Sequence, residues 1–202
     1  MESPEVRLQR ALGRIGEVTK GRSPSGVGHD DADDEVGTIA SDDAIGFDPL
    51  PLLRSLDATG AEVMVIGQVA GILHGSTELT GDLDLLWSGR PADAAPVAAG
   101  FGAVDATLWD DDGSPVEVGD DAFRLSKVVF QTATAAGDCC TPALPWGGLD
   151  VTGFLARAER ATIDGVVVRY LTLADLIEMR EAVGRPKDLR RAAELRALAS
   201  DR

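Results

Sequence analysis

Between residues 61 and 87 the pattern of apolar and polar positions changes twice. Glu62-Val63-Met64-Val65-Ile66 is a short, mostly apolar run of strand length, Gly67 interrupts it, and a helix-like stretch then continues to His74-Gly75. A turn leads into a second extended segment, through Asp82-Leu83-Asp84 to Trp87. Side chains alternate faces along an extended chain, so Leu83 and Leu85 point into a core while Asp82 and Asp84 share the opposite face. The segment therefore predicts strand, glycine-led helix, turn and strand.

Elsewhere the periodicity is coarser. Leu50, Leu53 and Leu56 predict a short helix that ends at Gly60, and alanine-rich residues 91–99 predict another, weakened by Pro96. Asp110-Asp111-Asp112-Gly113 is a polar turn. Val128-Val129-Phe130 predicts a strand, Ala135-Ala136-Gly137 a turn, and residues 138–141 a returning strand broken by Pro142 and Pro145. Residues 154–161 predict a helix and valine-rich residues 165–171 a strand. Thr172, with Asp175 three positions on, resembles the start of a capped helix; Pro186 interrupts it, and residues 187–198 continue as a second amphipathic helix. Together these elements predict an α+β fold: a mixed sheet with flanking helices and a helical C-terminal extension.

The first 46 residues stand apart. Gly, Pro, Ser and Asp dominate residues 21–43, which include the acidic run Asp30-Asp31-Ala32-Asp33-Asp34-Glu35. Such a composition buries too little apolar surface to offset chain entropy, so residues 1–46 are expected to be a disordered acidic tail, with only a transient helix over residues 6–18. The ordered domain is expected to run over residues 47–202.

Charge and composition narrow the function. A net charge of −15 argues against a protein that coats nucleic acid through a general basic surface. Cys139 and Cys140 are adjacent and form no disulfide framework, and His29 and His74 lie far apart and form no zinc pattern. No stretch has membrane-spanning length and no apolar signal core opens the chain, so the expected location is cytoplasmic. Trp87, Trp109 and Trp146 could each stack a base, although packing is the simpler role for a tryptophan.

Two carboxylates side by side repel each other at neutral pH, and a hard divalent cation, Mg²⁺ or Mn²⁺, relieves that repulsion. Gly67, at a strand-to-helix turn, lets a phosphate approach the first backbone N–H groups of the helix. A phosphate seat next to an acidic pair points to nucleoside triphosphate chemistry.

These residues resemble the nucleotidyltransferase superfamily that shares the DNA polymerase β palm. The nearest likeness is to small bacterial nucleotidyltransferase-like proteins, including the abortive-infection toxin branch. Val65-Ile66-Gly67-Gln68 and Thr80-Gly81-Asp82-Leu83-Asp84 match that family's first motif. Leu173-Ala174-Asp175-Leu176-Ile177-Glu178-Met179-Arg180, followed by Gly184-Arg185-Pro186-Lys187-Asp188-Leu189, matches a second stretch, and the likeness extends over residues 47–198.

The resemblance implies transfer of a nucleoside monophosphate from a triphosphate to an acceptor, with pyrophosphate leaving. The acceptor is a small molecule, a protein side chain or an RNA end. Asp82 and Asp84 would hold Mg²⁺ or Mn²⁺, Gly67 and Gln68 would seat phosphates, and Arg185 and Lys187 would neutralise the triphosphate. Asp138 is the preferred third carboxylate, which would complete the metal site that activates the acceptor oxygen, although relatives place that acid where this chain has Cys140; Asp150 is the alternative. Gln68 replaces a small residue, Glu78 stands where relatives carry a base, and Arg180 replaces a lysine. These departures leave two other roles open: a nucleotide-binding member without transfer activity, and a partner-binding protein of the toxin–antitoxin kind.

Overall fold

In the computed structural model, residues 2–28 and 38–200 are described. The acidic run at residues 30–35 and His29 lie outside the described residues. Seven α-helices occur among them: α1 (Pro4–Thr19), α2 (Leu50–Ala58), α3 (Gly67–His74), α4 (Ala94–Gly102), α5 (Phe154–Arg157), α6 (Leu173–Val183) and α7 (Pro186–Ser200). The strands are β1 (Val63–Val65), β2 (Leu85–Trp87), β3 (Thr107–Trp109), β4 (Pro115–Val116), β5 (Lys127–Gln131), β6 (Ala136–Cys140), β7 (Glu159–Ile163) and β8 (Val166–Tyr170). They form one eight-stranded sheet in the order β4-β3-β5-β6-β2-β1-β8-β7. The β1–β8 and β2–β6 pairs are parallel and the rest antiparallel, so the fold is α+β with a mixed sheet.

The central strands β1 and β2 are buried along their whole length, which accounts for their apolar sequences. Trp87 joins the aromatic core, with its ring edge-on to Phe123 at 6.2 Å; Phe101 lies 5.2 Å from Phe123 and 5.1 Å from Phe130. The helices pack in two groups, α2 with α4, and α3 with α1, α6 and α7. Pro96 is accommodated in the first turn of α4, where an N–H has no intrahelical partner to lose.

The N-terminal region departs from expectation. Ser3 caps α1 by accepting a hydrogen bond from the Val6 N–H at 3.3 Å, and Pro4 occupies the first turn. Leu8, Ala11 and Ile15 recur at helical spacing and are buried, with α1 packed on α3 and β7. Burying a leucine or isoleucine stabilises a fold by about 1.5–3 kcal/mol, enough to hold a helix that would be marginal in isolation. Beyond the helix, Arg22 donates hydrogen bonds to the carbonyls of Ile39, Ala40 and Ser41, and Asp42 accepts from the Ser25 and Gly26 N–H groups. Thr38, Ser41, Ala44 and Phe47 are buried. Over its described residues, the stretch expected to be a disordered tail is part of the folded domain.

Two smaller corrections concern the second half. The turn between β5 and β6 is closed by Thr132 and Ala135, so Ala136 and Gly137 belong to the strand. Residues 154–161 do not form one helix: α5 stops at Arg157, and Glu159 begins β7, which pairs with β8. The helix start at Thr172 is as expected, its hydroxyl accepting from the Asp175 N–H at 3.1 Å. The Asp175 carboxylate completes no capping box; it binds the Arg157 guanidinium at 2.9 Å.

Candidate functional site

Register brings the acids together. In the parallel β2–β6 pair Leu85 lies opposite Cys139 and Leu86 opposite Cys140, so one step back along both strands sets Asp84 level with Asp138. The Leu83 N–H donates to the Ala136 carbonyl at 2.9 Å, which carries the pairing past the end of β2. Asp82, Asp84 and Asp138 all line one cavity of about 330 Å³, as does Cys140, on the same strand face as Asp138. Asp150 is not part of this wall. It is exposed ahead of α5, where the Thr152 hydroxyl and N–H hold its carboxyl below the usual range. Of the two third-carboxylate candidates, the one beside Asp84 is Asp138.

Thr38 fixes Asp82 from the N-terminal segment. Its hydroxyl donates to Asp82 Oδ1 at 2.8 Å and lies 2.6 Å from the Thr80 hydroxyl, which donates to the same carboxylate oxygen. The Gly81 N–H in turn donates to Thr38 Oγ1 at 3.2 Å. Asp82 is thus held by a small hydroxyl network that joins two distant parts of the chain.

Beside Asp84, α3 starts at Gly67 with its first N–H groups lacking intrahelical partners. Gly67 has φ +61°, and a β-carbon on it would overlap the Asp84 carboxylate. The Gln68 side chain is not in the cavity wall. Its amide donates to the Ser76 hydroxyl at 3.0 Å and the Glu78 carbonyl at 2.9 Å, and its Oε1 accepts from Arg180 Nη2 at 2.8 Å. The predicted phosphate-seating residue therefore acts through its side chain as a brace for Arg180 and the loop that follows α3.

Arg180, in α6, is 4 % exposed and lines the cavity. Its Nη2 donates to the Gly67 carbonyl at 3.0 Å, while its Nη1 is buried without a hydrogen-bond partner among the described residues. Burial, with repulsion from Arg191, lowers its pKa to about 10, so the guanidinium is charged at neutral pH but poorly solvated. A buried cation in this state lowers its energy by meeting an anion in the cavity.

The remaining cations come from the α6–α7 junction. Arg185 and Lys187 both line the cavity, with Arg185 also gripping Asp188 at 2.6 Å. Arg191 joins the same wall and binds Glu78 at 2.6 Å. That pairing answers the unusual acid at position 78, whose charge is met by arginine before it reaches the cavity. Opposite, Lys127 lies 3.8 Å from Asp138 and 2.7 Å from Asp111.

Of the predicted residues, Gly67, Asp82, Asp84, Asp138, Arg185 and Lys187 come together in the cavity and the Gln68 side chain does not. Sequence reasoning missed Thr38, Lys127 and Arg191 as cavity residues, named Trp146 only as one of three tryptophans that could stack a base, and saw Arg180 only as a substituted lysine. Thr38 carries no local signal, because its partner Asp82 is 44 positions away. Arg191 falls within the amphipathic helix expected over residues 187–198, and it is buried there.

Among the described residues, no three His, Cys, Asp or Glu side chains form a ready-made metal cluster. The donors present still suit Mg²⁺ or Mn²⁺: they are carboxylate oxygens, and Mg²⁺ usually takes one or two carboxylates plus substrate phosphates rather than an all-protein cage. No helix of the described residues is long and apolar enough to cross a membrane. The site thus belongs to an α+β protein that brings acids from the central strands of the sheet together with cationic side chains from its C-terminal helices. No family model matches the sequence, and no curated protein matches it.

Proposed function

We propose that this protein is a metal-dependent nucleotidyltransferase, built on the nucleotidyltransferase fold, that moves a nucleoside monophosphate from a triphosphate to an acceptor hydroxyl. The observation that carries this reading is the convergence of Asp82, Asp84 and Asp138 on a cavity that Gly67, Arg180, Arg185 and Lys187 also line. Acids alone would repel an anionic substrate, and bases alone would bind anions without organising a cation; the two walls together suit a metal–triphosphate.

Asp82 and Asp84 would hold Mg²⁺ or Mn²⁺, which when bound neutralises phosphate oxygens and the charge that develops on them. The α3 N-terminus and the partnerless Nη1 of Arg180 bind phosphate oxygens. Arg185 and Lys187 add charge where pyrophosphate departs. The acceptor oxygen bonds to the α-phosphorus as the bond to the bridging oxygen breaks, and Asp138 takes the hydroxyl proton.

One contact favours nucleotide binding without transfer. Lys127 stands 3.8 Å from Asp138, where it competes with a cation or a proton for that carboxylate. A single experiment separates the readings: calorimetry of Mg²⁺ with each common triphosphate, followed by a pyrophosphate assay with a cell extract as the source of acceptor. Binding with pyrophosphate release supports transfer, binding alone supports the second reading, and no binding rejects both.

A further inference from the structure

The triphosphate chemistry uses the acidic and cationic walls and leaves a third, apolar one. Leu144 and Trp146, from the loop after β6, face the same cavity as Leu176, Met179 and Val183 of α6. We propose that Trp146 is the platform on which the nucleobase of the substrate stacks. This inference rests on the nucleotide reading and adds to it the part of the ligand that phosphate and metal contacts leave unexplained.

Trp146 has φ +41°, a region that a bulky L-residue rarely adopts, and only two other non-glycine residues of the described chain share a positive φ. Such strain persists only where the surroundings over-determine it, and it clusters at binding and catalytic sites. Here the surroundings do so from two sides. Gly147, with φ +65°, packs so tightly on the Ala182 carbonyl at the end of α6 that a β-carbon would overlap it. The Trp146 indole Nε1–H donates to the Thr141 carbonyl at 3.0 Å, which fixes the ring relative to β6.

A tryptophan that served only to fill space would not need this conformation. Trp87 does so, fully buried among Phe123 and its neighbours. Trp146 is instead half-buried, anchored at its nitrogen and beside a cavity. A rigid, oriented indole at the apolar end of a cavity with a cationic wall matches an amphiphile with a flat ring and an anionic tail. Stacking of that kind tolerates any base, because every base presents a π-face.

The test compares Mg²⁺–nucleoside triphosphate with Mg²⁺–tripolyphosphate, which has the charge and no base, by calorimetry on wild type, Trp146→Ala and Trp146→Phe. The expected result is a loss of about tenfold or more in nucleotide affinity for Trp146→Ala, unchanged tripolyphosphate affinity, and near-wild-type nucleotide binding by Trp146→Phe. Tripolyphosphate binding also reports that each variant is folded. Nucleotide should quench wild-type fluorescence and leave Trp146→Phe unaffected. Equal losses for both ligands in Trp146→Ala would reduce Trp146 to a prop for α6 and overturn the proposal. Wild type that binds tripolyphosphate as tightly as nucleotide overturns the base platform while the phosphate reading stands. Failure to bind either ligand overturns both.

Discussion

The α-carbon of Gly67 lies against the carboxylate of Asp84, so that the first residue of α3 and an acid at the entrance to β2 occupy space neither could share with one more carbon. Strand pairing sets this approach, since the Ile66 N–H donates to the Asp84 carbonyl at 2.9 Å. Substituting Gly67→Ala forces a side chain into φ +61° and into the carboxylate at once. Strain of this type costs about 1–3 kcal/mol. The variant should be less stable by at least that amount and, because Asp84 must move, lose Mg²⁺-dependent triphosphate binding beyond what the stability loss explains. Calorimetric titration of the still-folded variant at low temperature checks the second point; unchanged affinity would detach Gly67 from the site.

Removing residues 1–46 should destabilise the protein. The truncation strips Leu8, Ala11 and Ile15 from α3 and β7, together with the Thr38 hydroxyl that holds Asp82. Two fully buried aliphatic side chains alone account for about 3–6 kcal/mol, a large share of ordinary domain stability. The milder Thr38→Val keeps the helix and removes the hydroxyl, which should cost about 1.5–3 kcal/mol, the usual range for a hydrogen bond to a charged group. Thermal unfolding of both variants is the measurement, and a truncated protein as stable as the full chain would show α1 to be dispensable.

The acidic pair was legible in the sequence because everything that positions it is local. Alternation places Asp82 and Asp84 on one face, and the strand, glycine and helix before them carry their own periodicities. Asp138 was legible as a candidate on a strand, but its level with Asp84 depends on a pairing across 54 residues that periodicity does not encode. The opposite failure befell α1. Leu8, Ala11 and Ile15 show a helical stripe, yet the Gly- and Asp-rich sequence behind them made the region look unable to fold, because its packing partners α3 and β7 are remote in sequence. Gln68 was misassigned for a similar reason: a polar residue after a turn glycine suggests a ligand contact, and only the tertiary fold reveals that Arg180, Ser76 and Glu78 take up its amide.

Asp82→Asn and Asp84→Asn should separate charge from shape. Asparagine keeps a carbonyl oxygen that can accept the Thr38 and Thr80 hydroxyls while it relieves carboxylate repulsion. Each variant should therefore fold, with a melting temperature in EDTA at or above that of wild type, and lose the stabilisation that Mg²⁺ with triphosphate gives. Asp150→Asn, at an exposed acid outside the cavity, should behave as wild type in both respects. Asparagine variants that are destabilised with or without metal, yet still bind triphosphate, would assign the pair a structural role.

The last expectation turns on the charge of Arg180. Burial and Arg191 lower its pKa to about 10, which still leaves the guanidinium protonated near neutrality. A lysine there starts from about 10.4, and the same burial and the same neighbour lower it towards neutrality. Phosphate needs the charged form, so Arg180→Lys should bind triphosphate appreciably at pH 6 and lose affinity as pH rises to 9.5, while wild type stays level over that range. Stability should move the other way. A base whose pKa is depressed in the folded state costs stability while charged, fully so below its folded value, and that cost fades as pH rises towards the unfolded value. The ligand-free lysine variant should accordingly gain stability as pH rises, over the same interval in which it loses affinity. Melting and calorimetric titration from pH 6 to 9.5, run in parallel on both proteins, test for these opposed slopes. Identical pH profiles would mean that the buried guanidinium does not meet the phosphates, and that its contacts with Gly67 and Gln68 are its whole role.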